Sequence, residues 1–281
     1  MKRNQVISTA ISVFKNKAFD GFELKNAVFL NKEFPSHFHT NWSIALIKTG
    51  SENLFIYDKK LIVTANTLVI IPPYLPHSHG GQQDAFWSYQ ALYFEDDVIS
   101  KIAIPPQYFD AFKYNIILST NTQFILLFYA FCENLKDNSF KKTAFEHFIK
   151  AIFLDKKTSM IAVETPKLEL DFIEDIKINI AENLTSKITL DALSHQFHVE
   201  KFNLMRQFKK STGLTPNDYL TTLRIEASKK LMYEDAALMD IAYSTGFYDQ
   251  SHFYHSFKKY VGLSPTDYKQ NLQYFTSPIK I

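Results

Sequence analysis

The stretch FKKYVGLSPTDY, Phe257 to Tyr268, restates FKKSTGLTPNDY, Phe208 to Tyr219. Eight of the twelve positions are identical, at an offset of 49 residues. Each copy reads as a helix stop, a corner and a helix start. Phe-Lys-Lys places an apolar anchor ahead of cations that suit the last turn of a helix. Gly213 or Gly262 then supplies the left-handed position beyond it. Thr215 or Ser264 is an N-cap, Pro216 or Pro265 takes N1, and Asp218 or Asp267 takes N3.

Upstream of each copy the sequence predicts another short helix. Thr189 caps one over residues 190–196, a turn follows at 197–199, and a second helix covers 200–211. In the second unit a helix near 238–244 is followed by Thr245-Gly246-Phe247 and a helix over 249–260. Two helices joined by so short a turn form the helix-turn-helix pattern. The second helix of such a pair enters the DNA major groove and reads base edges with its N-terminal part. Two units in one chain reach two successive major-groove faces, about 34 Å apart. The helix over 216–233 between them sets their separation.

At these residues the chain resembles the AraC/XylS family of transcription regulators, over about residues 168–275. The segment DIAYSTGFYDQSHFYHSFKKYVGLSPTDY, Asp240 to Tyr268, matches that family's signature nearly end to end. The first unit departs at Ser194, where the family has Ala, and at Lys201, where Pro is common. The resemblance implies a sequence-specific DNA-binding regulator, an activator, that works with RNA polymerase. It also implies which side chains face DNA: Lys201, Phe202, Met205 and Arg206 in the first unit, and Gln250, Ser251, His252, Tyr254 and His255 in the second. Their chemistry is compatible with that role. Arg206 suits a bidentate guanine contact, Gln250 an adenine contact, and Phe202 or Met205 a thymine methyl. Leu204, Phe208, Phe253 and Phe257 fall on the opposite stripe, toward the core.

Each assignment has a plainer rival. Met205 is either a base contact or a core-edge packer. His252 and His255 have metal-like spacing, but no third ligand lies near them in sequence. Lys209, Lys210, Lys258 and Lys259 are either phosphate contacts or solvated charges. Residues 168–281 carry 13 Lys and Arg against 14 Asp and Glu, which is poor for a DNA binder. Residues 201–230 carry seven cations against Asp218 and Glu226, so the acids must crowd the far face. A modest nonspecific affinity and a shallow salt dependence are expected.

The whole chain has 281 residues, 46% hydrophobic and 21% charged, with a net charge of +2, as expected of a globular protein with more than one domain. The 26 Phe and 15 Tyr predict aromatic cores. The one cysteine, Cys132, excludes an internal disulfide and a cysteine zinc site, and reads as a buried small hydrophobe. No apolar run reaches the roughly 18 residues needed to span a bilayer. A cytoplasmic location and no membrane partner are expected.

Residues from about 20 to 105 read as short strands, among them SIALIKTG, NLFIYD, LIVTANTLVIIPP and WSYQALYF. Pro105-Pro106 breaks this pattern. Helical spacing follows, as Phe124, Leu127, Phe128, Phe131, Leu135 and as Phe145, Phe148, Ile149, Ile152, with a turn at Asp137-Asn138-Ser139. The first of these helices is apolar nearly all round, so the β domain, its neighbour or a second subunit must cover it. Residues 157–167 read as a linker.

The β region resembles the cupin-type ligand-binding domain that precedes the helical domain in many such regulators. FPSHFHTNWSIALIKTG and IPPYLPHSHG carry that likeness. Cupin enzymes hold a metal with a His-x-His pair, a Glu a few residues on, and a later His. His37 and His39 alternate onto one strand face. No carboxylate stands between Thr40 and Lys48, so the catalytic cupin metal set is incomplete. The histidines are then pocket residues, structural residues or ligands of a metal outside that catalytic set, and His37, His39, Trp42, His77, Trp87 and Tyr89 are the candidate lining of an effector site. Lys25 and Lys48 either meet a carboxylate or sit in solvent.

The expected protein is α+β and multidomain: a cupin-like β-barrel over 1–105, a helical dimerisation hairpin over 106–156, the linker, and an all-α domain with two helix-turn-helix units over 168–281. It binds double-stranded DNA as a homodimer under the control of a small-molecule effector. It uses no cofactor and is not an enzyme. The rivals are a metal-dependent cupin enzyme with a helical appendage, and an interaction module that no longer binds DNA.

Overall fold

The computed structural model describes residues 10–15, 22–82, 85–100, 102, 104, 112, 115–136, 142–155, 159–162 and 171–273. The Pro105-Pro106 break and the turn at Asp137, Asn138 and Ser139 lie outside the described residues.

The N-terminal part is built from two antiparallel sheets. The strands are β1 (Ala10–Lys15), β2 (Phe22–Leu30), β3 (Glu33–His37), β4 (Trp42–Thr49), β5 (Ser51–Ile56), β6 (Lys59–Thr64), β7 (Thr67–Ile71), β8 (His77–Gly81), β9 (Phe86–Phe94), β10 (Asn115–Ser119) and β11 (Ser159–Ala162). The larger sheet runs β1-β2-β9-β4-β7-β10-β11 and the smaller β3-β8-β5-β6. The four strand runs quoted from the sequence lie in β4, β5, β6 with β7, and β9.

Both faces of the larger sheet are buried. Ile47, Val69, Trp87, Tyr89 and Ala91 face the smaller sheet, with Leu54, Ile56 and Val63 opposite. Trp42, Ile44, Leu46, Leu92 and Phe94 face outward onto helices. Those helices are α2 (Thr122–Lys136) and α3 (Lys142–Phe153); the short α1 (Asp96–Ser100) precedes them. Phe124, Phe128, Phe131 and Leu135 of α2 and Phe145, Phe148 and Ile152 of α3 fill one cluster with the sheet. The apolar α2 is therefore covered largely within its own chain. Cys132 is buried there, and Leu126 is left 62% exposed.

Three strands stand where the sequence reading placed none: β1 pairs with β2 ahead of the expected strand region, and β10 and β11 lie beyond it. β10 pairs with β7, and β11, inside the expected linker, pairs with β10. The sheet thus extends to Ala162, because a four- or five-residue apolar run takes its conformation from the edge it meets.

The C-terminal part is helical: α4 (Asp171–Glu182), α5 (Leu190–Phe197), α6 (Lys201–Thr212), α7 (Pro216–Tyr233), α8 (Leu238–Ser244), α9 (Gln250–Val261) and α10 (Pro265–Gln273). The capping logic of the repeated phrase holds in both copies. Gly213 and Gly262 close α6 and α9 at φ 72° and 89°, each amide bonding back to Lys209 or Lys258. The Thr215 and Ser264 hydroxyls accept from the amides of Asp218 and Asp267. Thr189 accepts from the Ala192 amide at the start of α5.

Each helix-turn-helix unit has its own core. Ile176, Leu193, Leu204, Phe208 and Leu220 make the first. Ile225, Ile241, Phe253, Phe257 and Tyr268 make the second. α7 contributes to both, so it joins the units as a shared wall. The β domain enters each core, with Phe38 in the first and with Val13 and the partly buried Ile11 in the second.

Candidate functional site

The second helix of each unit, α6 and α9, presents one buried stripe and one exposed face. On α6, Leu204, Phe208 and Thr212 are buried. Phe202 is 69% exposed and Met205 37%, and Arg206 and Lys209 are exposed beside them at helical spacing. Met205 thus stands at the rim between the buried stripe and the exposed face. The Arg206 guanidinium donates to Asn203 Oδ1 at 3.1 Å, which orients it along the helix. On α9, Phe253, Phe257, Tyr260 and Val261 are buried. Gln250, Ser251, His252, Tyr254 and His255 are all exposed.

Caps hold the N-termini of both helices. The Glu200 carboxylate accepts from the Phe202 and Asn203 amides, and Asp249 accepts from His252 N at 2.7 Å. These backbone bonds hold the Glu200 carboxyl below its ordinary value. The Ser194 hydroxyl donates across the first turn to Val199 O at 2.7 Å, so the departure from Ala acquires a partner. Lys201 is held by Asp191 at 2.6 Å.

The C-terminal ends of the same helices abut the β domain. The Tyr57 hydroxyl donates to Ser211 O at 3.3 Å, and Lys25 Nζ donates to Val261 O at 3.0 Å. A side chain at Gly262 would meet Phe34. The β domain thus grips the C-terminal end of each of these two helices.

Two of the seven cations counted over 201–230 face inward. Arg224 is buried and donates to Leu184 O at 2.8 Å and Ser186 O at 2.9 Å, tying α7 to the turn between α4 and α5. Lys229 donates to Glu226 Oε1 at 2.7 Å. Lys25 is not a surface residue either. It is buried, and its ammonium is pushed down to about 7 by burial and by Lys229 nearby. Lys48 is exposed.

The six candidate effector residues do not share one site. His39, His77 and Tyr89 line a small lumen cavity of about 30 Å³ together with His79 and Glu52. His37 lies against the first two, its ring centroid 5.0 Å from His39 and 4.6 Å from His77. Trp42 is on the wrong face of the sheet: it packs on Phe153, and its indole donates to Asp96 Oδ1 at 2.8 Å. Trp87 is fully buried between Phe29, Tyr89 and His79, behind the cavity wall.

A larger cavity, about 370 Å³, opens between the β domain and α7. Glu23, Thr40, Tyr93 and Glu95 line one side, and Glu226, Lys229, Lys230 and Tyr233 the other. Tyr93 lines both cavities. Sequence reasoning missed Glu23, Glu226 and Tyr233, since no local pattern marks a residue whose partner is about 200 positions away.

A ligand-binding β domain joined to a pair of helix-turn-helix units defines a transcription regulator that answers to an effector. The profile of the AraC-like ligand binding domain matches residues 21–149, and that of a helix-turn-helix domain matches residues 193–271. The chain belongs to the AraC family of transcription regulators, and it is a regulator rather than an enzyme. The HTH-type transcriptional regulator YbfI of Bacillus subtilis is 29% identical over 79% of this chain and 82% of its own length. The HTH-type transcriptional activator RhaS of Escherichia coli is 37% identical, over 26% of this chain and 27% of that protein. ToxT of Vibrio cholerae, bound to (E)-4-(8-methylnaphthalen-1-yl)but-3-enoic acid, superposes with a TM-score of 0.59 at 15% identity, over 90% of this chain and 99% of that one. ToxT bound to an unsaturated fatty acid gives 0.57 at 18% identity, over 97% and 98%. Among the described residues no helix is long and apolar enough to cross a membrane.

Proposed function

We propose that this chain is a cytoplasmic transcription activator whose DNA-reading helices are α6 and α9 and whose effector enters the cavity between the β domain and α7. The observation that carries the reading is the pairing of two capped helices, each with a buried apolar stripe and an exposed N-terminal face. Phe202, Met205 and Arg206 read one major-groove segment, with Lys201 at its edge. Gln250, Ser251, His252, Tyr254 and His255 read the next. Lys209, Lys210, Lys258 and Lys259 meet phosphates.

The interdomain cavity has the size of a small-molecule site. Glu23, Glu95, Glu226 and Glu234 line it, while Lys229 and Lys230 sit beside Glu226 and Glu95. Its cations are thus already neutralised. An uncharged or cationic molecule rich in hydrogen-bonding groups suits it better than the carboxylic acids bound by ToxT. An effector there touches both domains, so it shifts their relative placement by its differential affinity for the two arrangements, typically 1–3 kcal/mol.

The working form is a homodimer that recruits RNA polymerase. Its interface uses the outer face of α2, where Leu126 and Ala130 are exposed one turn apart. Incubating the full-length protein with fragmented DNA and sequencing what is retained tests the reading. Two short blocks about ten base pairs apart support it; sequence-independent retention opposes it.

A further inference from the structure

We propose that His37, His39 and His77 bind one divalent transition-metal ion of the zinc class at the seam between the β domain and α7. One ring nitrogen from each of the three lies within 4.8 Å of those of the other two. The strands build this cluster. His37 and His77 are direct partners in the β3–β8 pairing. His39 follows two residues after His37, with its ring 5.2 Å from that of His77.

Hydrogen bonds fix which nitrogen of each ring is available. His37 Nδ1 lies 2.7 Å from Pro35 O, and His77 Nδ1 lies 2.9 Å from Leu75 O. A carbonyl only accepts, so both Nδ1 atoms carry the proton. His39 Nδ1 points at the Glu226 carboxylate at 3.4 Å and donates likewise. Nε2 is then the lone-pair atom of all three rings. An outer partner that holds Nδ1–H and leaves Nε2 free is the usual support of a metal-binding imidazole.

The sequence lacked a carboxylate in the segment after His39; the folded chain brings Glu226 to it from α7. This differs from the cupin enzyme set, where the carboxylate is a ligand from the same β segment. Here it is an outer partner from the DNA-binding part. Zinc–nitrogen bonds of about 2.0–2.1 Å at tetrahedral angles set the nitrogens about 3.4 Å apart, so the three rings close by up to about 1.4 Å when the ion binds. His39 and His77 also line the lumen cavity, and its volume of about 30 Å³ admits one water as a fourth ligand.

The test titrates chelator-stripped, full-length protein with zinc chloride by calorimetry and follows with metal analysis. One saturable zinc per chain is expected. His77→Ala should abolish saturable uptake, and Glu226→Gln should weaken it about 10–100-fold. Cobalt(II) should give visible bands without a thiolate charge-transfer band, and His77→Cys should add that band, which reports ligation even if its affinity differs. No saturable uptake by the wild type, or uptake unchanged in His77→Ala, overturns the proposal. So does a thiolate band in the wild type, which would place the metal on Cys132. None of these readouts depends on DNA.

Discussion

The Tyr268 hydroxyl donates to Glu23 Oε2 at 2.5 Å, although the two residues stand 245 positions apart. Tyr268 closes the second copy of the repeated phrase, and Glu23 lies on β2. The Tyr233 hydroxyl of α7 bonds to the same oxygen, and the two tyrosines meet at 3.0 Å. Burial, with the Glu23 charge adding to it, pushes both phenols well above their ordinary value. They remain donors at any physiological pH. Glu23→Ala strips two buried donors of a charged acceptor and is expected to cost about 2–3 kcal/mol. Urea denaturation measures this, and hydrogen exchange in α10 should quicken. An unchanged midpoint would show that the carboxylate does not hold the domains together.

Arg206→Ala is expected to cost about 1–3 kcal/mol of DNA affinity and to relax preference at one base pair. Lys258→Ala should weaken binding equally on all sequences and lower the salt slope by about 1. Fluorescence anisotropy at several salt concentrations separates the two. A uniform loss in Arg206→Ala would make it a phosphate contact.

Gly246 sits in the second helix-turn-helix turn at φ 81°. A Cβ there would stand 2.6 Å from Thr185 Cα and 2.7 Å from Leu184 O, both backbone atoms. Gly246→Ala therefore combines a left-handed conformation with a clash that no side-chain movement relieves. A loss of about 2–3 kcal/mol is expected. Circular dichroism melts check it, and a shift of only a degree or two would contradict the close approach.

Lys25 gives the molecule a pH dependence. Its folded value is about 7 against an ordinary 10.5. Below 7 both folded and unfolded chains hold the proton, so the burial cost is present in full. Between 7 and 10.5 the unfolded chain holds a proton that the folded one lacks, and stability rises with pH. The slope reaches about 1.4 kcal/mol per pH unit. In Lys25→Met that contribution disappears. The stability difference between wild type and variant should move in favour of the wild type from pH 7 to 8.5, as read from urea midpoints. A constant difference would mean that Lys25 stays charged.

Much of the fold was legible because its signals are local. α7 and α8 begin and end where the sequence placed them, and α5, α6 and α9 differ by one residue at their ends. Caps act over three or four positions, so a short window contains the whole interaction. β10 and β11 were not legible. NIILS and SMIA are too short to carry a period, and only pairing with β7 and with each other makes them strands.

The sequence by itself determined the two helix-turn-helix units, the stripe of Leu204, Phe208, Phe253 and Phe257 turned inward, and the exposed residues opposite. Only the tertiary structure decided where Trp42 points. Both faces of its sheet are apolar, so alternation along β4 carries no sign of inside or outside. Only the tertiary structure set Glu226 beside His39, 187 positions away, and buried Lys25 against Val261. Local stops and starts depend on neighbours along the chain. A charge between two domains depends on where the chain returns, and no window of sequence contains both ends.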